Sequence, residues 1–156
     1  MKKILIGSDH AGFTLKEKLK AYLKKKLGYA VEDGGTYSNE SCDYPDYVWE
    51  VAQAVAQKRV EQGILICKSG IGSSILANRF PGVRAALCYN LKGAKLSRQH
   101  NDSNILVLGA GFVSDSLAKK ILKVWLTTSF EAGRHRRRLN KIRRMEKKIR
   151  SQLWNT

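Results

Sequence analysis

The sequence predicts a doubly wound α/β domain, a five-stranded parallel sheet between two layers of helix. Three observations predict it. Short β-branched or leucine-rich runs lack a polar face, segments of helical period separate them, and no repeat or linker marks a second domain. A chain of 156 residues with 43% hydrophobic content is one domain long and can build a core, so residues 1–156 are expected to form one unit.

The first strand is KILIG near 3–7, and Leu15, Leu19, Tyr22 and Leu23 behind it make one apolar helix stripe. YAVED near 29–33 gives the second strand. Pro45 then sits where a first helical turn tolerates it, after Asp43 as a candidate cap and ahead of Val48, Val51, Ala52 and Val55. GILIC near 63–67 is the third strand, and SGIGSS opens the helix SSILANRF. VRAALCY near 83–89 and NILVLG near 104–109 complete the sheet, and Leu117, Ile121, Leu122 and Trp125 form a further stripe. Leu139, Ile142, Met145, Ile149 and Leu153 recur at spacings of three and four, so residues 133–153 read as a basic amphipathic helix. Its apolar stripe needs a surface to cover.

The net charge of +16 is concentrated: residues 131–156 hold ten Lys or Arg against Glu131 and Glu146. Such a run suits a polyanion, yet the stripe within it looks like packing against a partner subunit, with the charges as its outer face. Nucleic acid is therefore not the expected partner. The start MKKILIGSDH reads as neither a secretory leader nor a span, and no window approaches the ~18 unbroken apolar residues a span needs. Cys42, Cys67 and Cys88, odd in number and without a CxxC pair, fit free thiols in a reducing compartment. A cytoplasmic protein without membrane contact is expected.

Ligands of open α/β sheets bind beyond the carboxyl ends of the strands. Strand one delivers Ser8, Asp9, His10 and Gly12 there, and strand three delivers Cys67 with the loop from Lys68 to Ser74. The segment before strand five, with Arg98, His100, Asn101 and Asp102, is expected at the same edge. The amides of SGIGSS should point outward at a helix start, a nest for a phosphate or a developing oxyanion. Cys67 reads either as a core thiol that ends a strand or as a reactive group over that nest. His10 and His100 could be ordinary hydrogen-bonded histidines, and Asp9 or Asp102 helix caps.

GSDHAG at 7–12, DYPD at 43–46, ILICKSGIGSSILANRFPGVRAA at 64–86, SRQHNDSNILVLG at 97–109 and GRHxxR at 133–138 together resemble type B ribose-5-phosphate isomerases and galactose-6-phosphate isomerase subunits. The resemblance implies a Rossmann-like fold, a homodimer or dimer of dimers with an intersubunit site, no metal or cofactor, and interconversion of aldose and ketose phosphates through a cis-enediolate. It makes Cys67 the base between C1 and C2, with the amides of Gly70, Ile71, Gly72, Ser73 and Ser74 holding the enediolate oxygen and Ser69 close by. It makes His100, helped by Asp9, the ring-opening acid and base, and Asn101 a ligand of sugar hydroxyls. His10, with Arg134 and Arg138 from the partner subunit, would grip the phosphate, and the four-residue spacing of the two arginines suits a clamp.

Two positions depart from the family pattern. Cys67-Lys68-Ser69-Gly70 stands where CGTG or CGSG is common, and Lys68 there points to solvent, adds charge beside the thiol, or crowds the pocket. Gly109-Ala110-Gly111 stands where the family often has an arginine assigned to the phosphate. The alternatives are an isomerase of allose or galactose 6-phosphate, a non-catalytic phosphosugar- or RNA-binding relative, and a subunit active only with an unlike partner.

Overall fold

The computed structural model describes residues 3–153; the expected single domain of 1–156 reaches beyond them at both ends. Five parallel strands, β1 (Lys3–Ser8), β2 (Ala30–Asp33), β3 (Gln62–Cys67), β4 (Ala85–Leu87) and β5 (Ile105–Gly109), lie in the order β2-β1-β3-β5-β4. β1 pairs with β2 and β3, and β3 pairs with β5 from Gly63↔Ile105 to Cys67↔Gly109. Six helices are described: α1 (Phe13–Lys26), α2 (Tyr44–Ala56), α3 (Ile71–Ala77), α4 (Leu91–Asn101), α5 (Asp115–Thr127) and α6 (Gly133–Leu153).

The alternating side chains of each strand serve two cores. Ile4, Ile6, Ile64, Ile66, Leu106 and Leu108 pack with α1, α4 and α5 on one face. Leu5, Leu65, Ile105 and Val107 pack with α2 and α3 on the other. Because both faces are covered, the strands need no polar side, which is why they read as unbroken apolar runs. Pro45 lies in the first turn of α2 as expected, but Asp43 makes no side-chain cap there. Ser114 and Asn90 do cap, accepting from the amides of Leu117 and Gly93.

β1 and β3 are neighbours whose onward connections leave to opposite sides, so the switch point lies between Ser8 and Cys67. That placement agrees with the sequence reading. The placement of His100 and Asn101 does not. α4 links the carboxyl end of β4 to the amino end of β5, so its last turn lies at the opposite edge of the sheet from Cys67. Arg98, His100, Asn101 and Asp102 therefore do not share an edge with Asp9 and His10 within one chain.

Candidate active site

Cys67 ends β3 with its side chain only 5% exposed, and its Sγ accepts the Gly70 N–H at 3.1 Å. The turn between them requires glycine. Gly70 has φ +82°, and a Cβ there would run into Leu87. That contact ties the sulfur to the N-cap residue of α3. Cys88 is the contrasting thiol: 2% exposed, it is pushed up to about 11 by burial, against a smaller opposing effect of Ser97. It is the plain core thiol of the chain.

The nest after Cys67 is narrower than the sequence suggested. The amide of Gly70 is spent on sulfur, that of Ile71 on Ser69 Oγ at 3.1 Å, and that of Ser74 on the Gly70 carbonyl at 3.0 Å. Gly72 and Ser73, in the first turn of α3, have no intrahelical acceptor and remain as the donors. Tyr44 stands over them: a Cβ on Gly72 would meet its Cζ at 2.5 Å and its Oη at 2.6 Å. Sequence reasoning missed Tyr44. The signal was available in an exposed aromatic at the start of α2, the helix whose first residues lie at the same edge.

Across the switch point, the Asp9 N–H donates to the Ile66 carbonyl at 3.3 Å, and Asp9 Oδ1 accepts the Gly12 amide at 3.0 Å. Asp9 thus caps the turn into α1 while staying beside β3. The His10 ring is fixed by Nδ1, which lies 3.2 Å from the Cys42 nitrogen and 3.1 Å from its carbonyl oxygen. Nε2 is left for a ligand. Ser69 is held by its own backbone, as its carbonyl accepts the Tyr89 hydroxyl at 2.6 Å.

The remaining predicted site residues form a second cluster at the amino edge of the sheet. The rings of His100 and His135 stack with centroids 4.2 Å apart and planes 11° apart, and their Nε2 atoms lie 3.9 and 3.8 Å from Glu131 Oε2. His135 is lowered by burial first, then by His100, Arg134 and Arg138, with Glu131 opposing. That direction favours the neutral ring. Arg134 and Arg138 flank it, exposed, on α6. Asp102 is structural: in left-handed conformation after α4, it pairs with Arg98 at 2.9 Å and Arg84 at 3.1 Å, which fixes the turn behind His100 and Asn101. Among the described residues, His100, Glu131 and His135 bring three ligand-type atoms within 4.8 Å of one another. Stacked parallel rings send their lone pairs along parallel planes, so they do not converge on one ion.

Residues 4–142 match the family model described as Ribose/Galactose Isomerase. The chain is 48% identical over 148 residues to ribose-5-phosphate isomerase B of Escherichia coli, covering 95% of this chain and 99% of that protein. A Clostridium thermocellum ribose-5-phosphate isomerase B structure superposes with a TM-score of 0.91 at 50% identity, covering 94% of this chain and 99% of that one. The Mycoplasma genitalium enzyme, solved with bound ribulose-5-phosphate, gives 0.88 at 44% identity, covering 93% and 96% of the two chains.

Proposed function

Because the chain belongs to the ribose/galactose isomerase family, we propose that it interconverts ribose 5-phosphate and ribulose 5-phosphate, acting as a single domain in the cytoplasm. No helix of the described residues is long and apolar enough to cross a membrane. The observation that carries the reading is the Cys67 thiol, held under the Gly70 amide at the switch point, with the donors of Gly72 and Ser73 beside it.

The mechanism needs a base next to a carbonyl and donors where charge develops. Cys67 as thiolate takes the proton from C2 of the open-chain aldose, the C1 carbonyl oxygen gains the negative charge, and the amides of Gly72 and Ser73 hold it. The proton returns from sulfur to C1 as the C2 oxygen becomes the ketone, its hydroxyl proton passing to the C1 oxygen. Ring opening comes first: His100 moves a proton between the anomeric hydroxyl and the ring oxygen, and Asn101 holds sugar hydroxyls. His10 grips the phosphate through Nε2, with Arg134 and Arg138 closing over it.

These groups lie on two edges of one chain, so the reading requires a second copy that brings its His100 edge to this chain's Cys67 edge. A two-fold pair completes two sites at once. Supporting it is an exposed apolar surface: Ile142, Met145 and Ile149 on α6 are 51%, 59% and 50% exposed. They face Ile75 and Leu76 of α3 across a groove of about 890 Å³ that reaches Tyr44 and Gly72. A soluble monomer rarely leaves such a stripe open.

Purified protein offered ribose 5-phosphate, allose 6-phosphate and galactose 6-phosphate separately should form ketose fastest from the pentose, read by product absorbance. Turnover confined to a hexose phosphate would move the substrate and keep the chemistry. No turnover of any sugar by a folded oligomer would contradict the enzyme reading.

A further inference from the structure

The loops leaving the carboxyl ends of the five strands span residues 9–12, 34–43, 68–70, 88–90 and 110–114. In a chain of net charge +16 they carry one Lys or Arg between them, Lys68, against Asp9, Glu40 and Asp43. The edge that holds the Cys67 thiol is thus poor in the charge a phosphate dianion needs. Lys68 is exposed, and its ammonium takes part in none of the ion pairs among the described residues, whereas Lys16, Lys18 and Lys20 are all paired.

The side chain is also seated. A Cβ at Gly111 would stand 2.9 Å from Lys68 Cε and 3.2 Å from Cδ, so the stem lies across the Gly111 backbone. The Gly111 N–H donates to the Lys68 carbonyl at 2.9 Å and locks the two strand ends together. A side chain at 111, such as the arginine that the family resemblance leads one to expect, would have to push the Lys68 stem off that surface. Side chains of consecutive residues diverge at a strand end, and the thiol is turned into the Gly70 amide. The ammonium is therefore free for the substrate rather than committed to the sulfur.

We propose that Lys68 is a second phosphate ligand, beside His10, supplied by the same chain as Cys67, and that Gly111 is kept small as its seat. The cation that one strand end lacks is delivered from the next. This rests on the sugar-phosphate reading above. A lysine is a compact charge on a flexible stem, so it needs such a surface to hold it in place before a dianion arrives.

The test measures binding of inorganic phosphate and of ribose 5-phosphate by calorimetry, beside steady-state kinetics, with fold and oligomer checked by circular dichroism and gel filtration. Lys68→Ala should weaken both ligands and raise KM by about tenfold, the loss of one charge-assisted hydrogen bond, with kcat within about twofold. Gly111→Ala should weaken them in the same direction by displacing the stem. The double variant Lys68→Gly with Gly111→Arg should regain affinity over Lys68→Gly alone. Unchanged affinity in folded Lys68→Ala, or a fall in kcat with KM untouched, would overturn the assignment. A wild-type protein that binds phosphosugar without turnover, yet loses that affinity in Lys68→Ala, would sink the isomerase reading and keep Lys68 as the ligand.

Discussion

Gly70 meets three demands at once: a left-handed turn, a close approach to Leu87, and an amide that must reach Cys67 Sγ. The sequence shows only a glycine after a cysteine and two residues, so a core thiol and a working one look alike until the amide's direction is known. The five-amide nest looked uniform for the same reason, since local acceptors such as Ser69 Oγ leave no trace in the residue order. Cys67→Ala should fold normally and lower kcat by roughly a hundredfold or more, the range of a lost general base. With ribose 5-phosphate in heavy water, NMR should show deuterium entering C1 of ribulose 5-phosphate with the wild type and none with the variant. Retained exchange in Cys67→Ala would remove the thiol from the mechanism.

The sheet and its covering helices were legible because buried parallel strands read as apolar runs, and the stripes on α1, α2 and α5 fall where expected. Lys16 was not legible. It lies within the buried stripe of α1 at 0% exposure and pairs with Asp33 at 2.5 Å, a partner 17 residues away. Burial works to raise Asp33, but hydrogen bonds from Lys16 and Lys20 and from the Gly35 amide hold it below its usual value. A carboxylate lowered on folding contributes stability that is present above its unfolded value near pH 4 and lost as pH falls through the folded one. Asp33→Asn should therefore cost about 3 kcal/mol at pH 7, because a buried lysine loses its main partner, and the difference from wild type should shrink below pH 4. Urea midpoints at several pH values measure both. A pH-independent difference would contradict the ion-pair account.

At the scale of the whole molecule, the residues of the proposed site are divided between two edges of one sheet. The sequence contained the clue: Asp9 and His10 follow β1 and Cys67 ends β3, whereas His100 and Asn101 precede β5, and a connecting helix ends where its next strand begins. Motif order brought these residues together on paper; the direction of α4 separates them. In the proposed reading a second copy turns its His100 edge toward the Cys67 edge of the first and covers the exposed stripe of α6. Subunit complementation tests this arrangement most directly. Cys67→Ala and His100→Ala chains, each inactive alone, are unfolded together and refolded as a mixture, and ribulose 5-phosphate formation is measured. Random pairing makes half of the dimers mixed, each with one intact and one doubly defective site, so about a quarter of the wild-type rate should return. A mixture as inactive as its two components would contradict a site shared between chains.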